Sequence, residues 1–402
     1  MLDLNKFIST EVTKRSSSMF LPDIEKNKDI LSTKIKNKSV LVIGGAGSIG
    51  SSFIKAVLPF RPKTLVVVDI NENALAELTR DLRSTRGMFV PEDYIPYPMD
   101  FASLLFEKMF INRGGFDIVG NFSAHKHVRS EKDIYSIEAL LRNNVLHARK
   151  LLDLLSKFPP EEYFCVSTDK AANPVNIMGA SKRLMEDVIF SYSDKFPVKT
   201  ARFANVAFSN GSLPAGFITR ISKLQPLSAP SDVKRYFVSP EESGQICMLA
   251  CMLGDNREIF FPKLEKAQMM TFDAIATALL RSYDYEPLLC DSDEEAIEKT
   301  EIVRHGGHEY PVHYSSSNTS GEKAYEEFYT EEESVDMERF CSLGVITNKV
   351  LINADDINQL FDHLEDLFTQ NNASKEEVIE IIKKYLPNFE YVEKGKSLDS
   401  KM

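Results

Sequence analysis

The chain has no run of about eighteen consecutive apolar residues, the length a helix needs to cross a bilayer. Its first residues, Met-Leu-Asp-Leu-Asn-Lys-Phe, carry no apolar core of a signal peptide. A cytoplasmic protein with no membrane span is the expectation. Cysteine is scarce, with five in 402 residues: Cys165, Cys247, Cys251, Cys290 and Cys341. Their number is odd and their spacing fits no metal site, which points to reduced thiols and no bound metal. Cys247 and Cys251 stand in a helix-like run and read as core thiols. A basic excess is lacking too. Lys and Arg total 48 against 59 Asp and Glu, a formal charge of −11. That argues against a nucleic-acid partner, whose footprint would be basic. An anionic small ligand stays open, because a local site can oppose the global sign. There is no internal repeat and no long low-complexity tract.

What is present is ordinary for a globular chain: 43% hydrophobic and 27% charged residues. Ser39 to Ile43 (S-V-L-V-I) reads as a buried strand. It runs into G-G-A-G-S-I-G, which places Gly44, Gly47 and Gly50 three apart, and Ser51 to Leu58 then reads as a helix. Thr64 to Val68 is a second strand and ends at Asp69. Strand, glycine turn, helix, strand and an acid about 20 residues after the glycines form a dinucleotide-binding unit. The glycines let the backbone approach a pyrophosphate, whose charge meets the helix N-terminus. Asp69 can accept from the ribose hydroxyls and would repel a 2′-phosphate, so NAD is expected rather than NADP. A glycine turn that merely packs helix on strand would leave Asp69 unexplained.

The alternation continues: helix 74–83, strand 94–99 ending at Asp100 and Phe101, helix 102–110, and strand 117–122 running into S-A-H-K-H-V-R. A long helical pattern follows over 134–156, then strand 162–167. The fold expected is a doubly wound parallel α/β sheet of the Rossmann type, with a smaller C-terminal α/β part that binds substrate. Later, a strand ends near Asn205, residues 207–217 read as loop, and 220–224 as a short helix. Further helices are expected over 241–253, 271–283, 355–369 and 374–385. The parts are an N-terminal extension 1–38, a dinucleotide-binding domain 39–205, a substrate-binding region 206–350 interleaved with the sheet, and C-terminal helices with a tail 351–402. The extension could pack on the core, pack on a partner subunit, or form a loosely attached arm.

The chemistry concentrates between Cys165 and Lys182, C-V-S-T-D-K-A-A-N-P-V-N-I-M-G-A-S-K. An apolar strand ends in Ser167, Thr168, Asp169 and Lys170, where open α/β sheets bind ligands. Pro174 biases Asn173 toward an extended conformation. Behind it a helix begins on which Met178 and Lys182 share a face. Asp169 and Lys170 either do proton transfer or merely cap the turn. Met178 either fills the core or packs on a nicotinamide. Lys126 and His127 line the site or a surface loop. His125 and His127 make no metal pair, for want of a third ligand.

The glycine turn, S-T-D-K-A, M-G-A-S-K, R-F-A-N-V, R-Y-F and G-E-K-x-x-E-E, in that order, resemble the extended short-chain dehydrogenase/reductases. More narrowly, they are similar to bacterial UDP-N-acetylglucosamine 4,6-dehydratases of the polysaccharide-biosynthesis type. The resemblance spans roughly residues 36–345. Three positions depart from the usual pattern: Ile43 for threonine, Arg129 for proline, and Met178 for the tyrosine of Tyr-x-x-x-Lys. Methionine at the last position resembles a variant found in this subfamily.

The resemblance implies a redox-neutral reaction: oxidation at C4 of the sugar, loss of water across C5 and C6, and hydride return to C6, with NAD regenerated. It implies catalytic roles for Thr168, Asp169, Lys170, Met178 and Lys182. Thr168 would bond the C4 oxygen, and Asp169 would be the acid at C6 if burial raises its pKa. Lys170 would be the base at C5 if nearby positive charge or desolvation lowers its own pKa. Exchange of the Asp169 and Lys170 roles is chemically open. Cofactor contacts would come from Gly44, Gly47, Ser48, Ile49, Gly50, Asp69 and Asn71, then Asp100, Phe101, Ser123, Ala124 and Lys182. Substrate contacts would come from Lys126, His127, Asn205, Ser212, Arg235 and Glu322, with Lys323 helping to close the site. A homo-oligomer is implied, with the helices at 134–156 and 178–192 as interface candidates. Alternatives are a 4-epimerase, a 5,6-dehydratase of the same fold, and a non-enzymatic cofactor-bound regulator.

Overall fold

The computed structural model describes residues 2–317, 325, 327–347 and 353–391, with backbone alone at 129, 130 and 354. Strands β1 (Ser39–Ile43), β2 (Thr64–Asp69), β3 (Asp93–Pro98), β4 (Ile118–Asn121), β5 (Glu162–Val166) and β6 (Val198–Ala201) pair in parallel. The sheet order is Val335–Asp336, Leu343–Ile346, Ile259–Pro262, β6, β5, β4, β1, β2, β3. Leu343–Ile346 runs antiparallel to both of its neighbours. The apolar runs of β1 and β2 are buried on both faces, as strands covered by helices on both sides must be. Each fully buried Val, Leu or Ile there contributes about 1.5–3 kcal/mol. On one side Ile43 pairs with Val68, on the other with Asn121. The chain order therefore reverses between β1 and β4 and opens a crevice at their carboxyl ends. Helices Ser48–Val57 and Pro240–Leu253 touch through Gly244, where a Cβ would lie 2.1 Å from the Ser52 carbonyl oxygen.

A second core surrounds a parallel sheet of Leu227–Pro230, Glu309–Ser315 and Glu286–Leu289, with Glu309–Ser315 central. Phe217, Ile275, Leu279, Tyr310 and Val312 fill it, together with Phe7, Ile8 and Val12 from the N-terminal segment. Phe20, Leu31 and Ile35 join the main core. Residues 2–38 are thus no loose arm. Arg15 donates to Glu242 at 2.7 and 2.6 Å, and Asp23 accepts from the amides of Cys341 and Ser342 at 2.7 and 2.8 Å. The segment spans both cores.

Other differences from the sequence reading have local causes. The helix expected at 220–224 runs from Leu213 to Ser222, because Ser212 caps it and Pro214 sits in its first turn. The pattern over 134–156 is helical from Ile134 to Lys157, but with a π turn at Arg142–Leu146. The C-terminal helices Ala354–Phe368 and Lys375–Tyr385 fold back on that helix. The Arg149 guanidinium lies 4.4 Å from the Phe361 ring centre and bonds Asn358 at 3.0 Å, and Arg142 lies 5.4 Å from the Phe368 ring centre. One face of a proposed interface helix is therefore covered by the same chain. No described helix is long and apolar enough to cross a membrane.

Candidate active site

β1 feeds directly into the glycine turn. Gly44 has φ +69° and fits against the loop after β4, where a Cβ would come 2.6 Å from the Ser123 nitrogen. At Gly50 a Cβ would lie 2.4 Å from the Gly44 oxygen. Gly47 is the N-cap of helix Ser48–Val57, and no side chain caps that helix. The first-turn amides of Ser48, Ile49 and Gly50 are therefore left to an outside acceptor, the donor set a pyrophosphate takes. Asp69, at the end of β2, accepts from the Ala46 and Asn71 amides, both at 3.0 Å, so its carboxylate faces the turn. The Asn71 side chain itself caps the next helix at Ala74. Asp100 accepts from the Ala102 amide at 2.8 Å, and Phe101 is buried with its ring centre 6.0 Å from that of His147. These features make a cradle that fits a dinucleotide.

The loop after β4 forms the facing wall. The Ser123 amide donates to Asn121, and its hydroxyl reaches Asn143 at 3.4 Å. Ala124 follows. Buried Asn144 accepts from the His125 amide at 2.9 Å and donates to the His125 carbonyl at 2.9 Å and to Ser181 Oγ at 3.0 Å. Asn143 and Asn144 lie in the π turn, a distortion frequent at functional sites. Lys126 Nζ donates to the Asn210 carbonyl at 2.8 Å, and the Asn210 amide donates to Ser48 Oγ at 2.8 Å. Loop 207–212 therefore lies across the crevice. At Gly211, φ +74°, a Cβ would stand 3.1 Å from His127 Nε2. Desolvation lowers the pKa of both Lys126 and His125. Among the described residues no group of three or more His, Cys, Asp or Glu could hold a metal ion.

β5 leads into the turn that carries the candidate reactive groups. Asp169 is 4% exposed, and its Oδ1 accepts from the Thr168 hydroxyl at 2.8 Å, the Lys170 amide at 2.9 Å and the Lys170 ammonium at 3.1 Å. These bonds lie within the short turn Asp169–Ala171, so the geometry fits a turn cap and a proton-transfer cluster alike. A carboxylate stands beside Lys170, whose side chain is 19% exposed; sequence reasoning looked for a positive charge or desolvation there. Helix Ile177–Phe190 begins on Asn176, which accepts from the Gly179 amide at 2.7 Å. At Gly179 a Cβ would lie 2.7 Å from the Lys170 oxygen, so glycine lets the helix touch the Asp169–Ala171 turn. Met178 and Lys182 are buried. Lys182 Nζ donates to the Val166 carbonyl at 3.0 Å, and burial lowers its pKa.

Two features went unread in the sequence. Glu131 accepts from the amides of Ile177 at 3.1 Å and Met178 at 2.8 Å. Behind β5, fully buried Arg202 forks onto Glu186 at 2.9 and 2.8 Å and onto Glu333 at 2.8 Å through two nitrogens. Ser167 Oγ donates to Glu186 at 2.6 Å, and Arg183 bonds Glu333 at 2.9 Å. Burial alone would lower the Arg202 pKa, but the two carboxylates raise it above the usual range. Arg202 stands in R-F-A-N-V, a motif read only for Asn205.

Of the expected substrate residues, Asn205, Ser212 and Arg235 sit on elements that reach the second core. Asn205–Val206 pairs with Phe237–Val238; Val206 and Val238 belong to the main core, Phe237 to the second. Ser212 is a helix cap. Arg235, 5% exposed, lies on a short strand paired with Met270–Thr271. Next to it, the Tyr236 ring centre is 5.5 Å from that of Phe328, and Asn173 donates to Glu327 at 2.9 Å, which brings the segment after 325 to the reactive turn. Glu322 and Lys323 lie outside the described residues. A cavity of about 760 Å³ between the N-terminal helices and helix Pro240–Leu253 is lined by none of these residues, so its size does not make it the reactive site.

Residues 40–347 match the family described as polysaccharide biosynthesis protein. An uncharacterized membrane protein of Methanocaldococcus jannaschii is 30% identical over 342 residues, covering 81% of this chain and 93% of that protein. The capsular polysaccharide biosynthesis protein CapD of Staphylococcus aureus is 28% identical over 364 residues, 89% of this chain and 55% of that relative, about half its length. More distant relatives include an epimerase and a dehydratase. A UDP-glucose 4-epimerase of Rickettsia conorii is 28% identical over 62% of this chain and 72% of its own. A UDP-N-acetylglucosamine 4,6-dehydratase (inverting) of Campylobacter jejuni is 25% identical over 56% and 67%. Among solved structures, Pen from Bacillus thuringiensis shares the fold, with a TM-score of 0.62 at 19% identity over 82% of this chain and 98% of that one.

Proposed function

The chain belongs to the polysaccharide-biosynthesis protein family within the extended short-chain dehydrogenase/reductases, and from that premise we propose an NAD-dependent 4,6-dehydratase of UDP-N-acetylglucosamine. The chain is a nucleotide-sugar dehydratase or epimerase of the short-chain dehydrogenase/reductase fold for polysaccharide biosynthesis. The observation that carries the finer reading is the Thr168–Asp169–Lys170 cluster at the end of β5, with buried Met178 where a phenol would stand. An epimerase inverts C4 and has no use for an acid and a base at C6 and C5. In this reading residues 39–205 hold the cofactor and 206–350 the sugar nucleotide.

The glycine turn would hold the pyrophosphate of NAD, and the cofactor would supply a hydride acceptor for C4 and a hydride donor for C6. The chain's own residues would handle the protons. Thr168 donates to Asp169, so its oxygen can accept from the C4 hydroxyl and pass that proton on to Asp169. Protonated Asp169 can then supply the C6 hydroxyl as water leaves. With its carboxylate neutralised, the attraction that keeps Lys170 an ammonium weakens; Lys170 would then release one proton to solvent, take the C5 proton as the free amine, return it to C5 after hydride transfer, and regain a solvent proton at the end of turnover. The C4 hydroxyl proton leaves in the water formed at C6, so one water is lost and the protons balance. Lys182 would hold the ribose beside the nicotinamide, and Lys126, His127, Asn205, Ser212 and Arg235 would bind the sugar nucleotide, Arg235 by its bidentate fork.

The test is UDP-N-acetylglucosamine with NAD-loaded protein in deuterated water, read by mass spectrometry and NMR. Expected are loss of water and one deuterium at C5; the C5 signal tells inversion from retention. Asp169→Asn and Lys170→Ala should lower turnover by about 10²–10⁴-fold with NAD still bound. A 4-epimer without loss of water would sink the dehydratase reading. An exocyclic alkene as the product would make it a 5,6-dehydratase.

A further inference from the structure

The loop after β4 and the helix bearing Met178 and Lys182 meet at one carboxylate. Glu131 is 8% exposed and accepts from the Met178 amide through Oε1 at 2.8 Å and from the Ile177 amide through Oε2 at 3.1 Å. These are the first two amides of the helix, which its own ladder leaves unpaired. Asn176 takes the Gly179 amide. A bidentate grip on two adjacent amides fixes the rotation of the first turn as well as its height; a single cap fixes only where the helix starts. Ser181 adds a second tie, donating to the Met178 carbonyl at 2.7 Å and accepting from Asn144 at 3.0 Å. Burial raises the pKa of Glu131, while the two amides and the Lys375 ammonium of the C-terminal helix Lys375–Tyr385 oppose that rise. Negative charge at a helix N-terminus is favourable in any case.

We propose that Glu131 is a positioning residue for the reaction: through the amides of Ile177 and Met178 it sets the placement of Lys182 against the Thr168–Asp169–Lys170 turn. The inference rests on the C4-oxidation reading above. The approach it controls is tight, since only glycine fits at 179 against the Lys170 carbonyl. A shift of the first turn moves Lys182 relative to the reactive turn, and a misplacement of about 1 Å can cost about 10²-fold in rate.

The experiment compares the NAD-loaded full chain with Glu131→Gln and Glu131→Ala, using UDP-N-acetylglucosamine carrying protium or deuterium at C4. Glutamine keeps one acceptor and sets an NH₂ group against an amide; alanine leaves both amides without it. Expected are falls in kcat of about tenfold and about a hundredfold, KM within about twofold, and a larger deuterium effect on kcat as hydride transfer slows. A merely structural role would reduce the folded, NAD-holding fraction and leave the isotope effect at the wild-type value. Wild-type kcat per bound NAD in Glu131→Ala, or a lower kcat with an unchanged isotope effect, overturns the proposal. Should Glu131→Ala fail to fold, the isotope effect in Glu131→Gln decides in the same way. A wild-type chain inert toward the sugar overturns both readings; absence of a difference between variants overturns only this one.

Discussion

Asp169 shows how much one atom can organise. Its Oδ1 collects a hydroxyl, an amide and an ammonium, all from residues adjacent in the chain. Such a cluster is legible in sequence, because neighbours along a turn are neighbours in space. The glycines are legible for the same reason, and they differ in what they tolerate. At Gly50 a Cβ would strike the Gly44 oxygen at 2.4 Å and the Gly45 Cα at 2.7 Å, both backbone atoms that cannot swing aside. At Gly47 the sole near atom would be the Gly44 oxygen at 3.3 Å. Gly50→Ala should destabilise the chain by about 1–3 kcal/mol, as overpacking does, and Gly47→Ala by clearly less. Urea unfolding of the two variants checks this, and equal midpoints would contradict it. Glu131, Asn144 and Arg202 were not legible. Their partners lie far along the chain, and nothing in a lone Glu, Asn or Arg marks whom it will face.

Among the elements, β5 and helix Ile177–Phe190 are held from behind by the Arg202 network, which also ties in the segment reaching Glu333. Burial alone would raise the pKa of Glu333, but its bonds and charge contact with Arg202 hold it below the usual 4.5. A depressed carboxyl contributes stability above its unfolded pKa and loses it as pH falls through the folded value. Wild-type stability should therefore decline below about pH 4.5. Glu333→Gln should be less stable near neutral pH by on the order of 3 kcal/mol, with part of the acid decline removed. Thermal melts from about pH 3.5 to 7 would show parallel curves if the network contributes nothing. Long apolar strands and capped helices were readable at this scale. The strands of the second sheet were not, since Leu227–Pro230 and Glu286–Leu289 are short and gain their identity from pairing with Glu309–Ser315.

For the whole molecule, both ends of the described chain fold back onto it. The N-terminal segment bridges the two cores, and the C-terminal helices cover the helix from Ile134 to Lys157 and bring Lys375 toward Glu131. Phe361 is 2% exposed and packs under Arg149. Phe361→Ala should cost about 3–5 kcal/mol and open the C-terminal helices to protease before the sheet unfolds. Cleavage no faster than in the wild type would show that the hairpin does not depend on this contact. The sequence by itself determined the parallel sheet, the glycine turn with its acid, and the Thr168–Asp169–Lys170 cluster at the end of β5 that we propose is reactive, because each rests on residues close together in the chain and on local backbone needs. Only the tertiary structure decided which carboxylate grips the helix of Met178 and Lys182, which charges neutralise Arg202, and where the two ends pack. Those outcomes depend on burial shared between distant segments, and local periodicity carries no information about it.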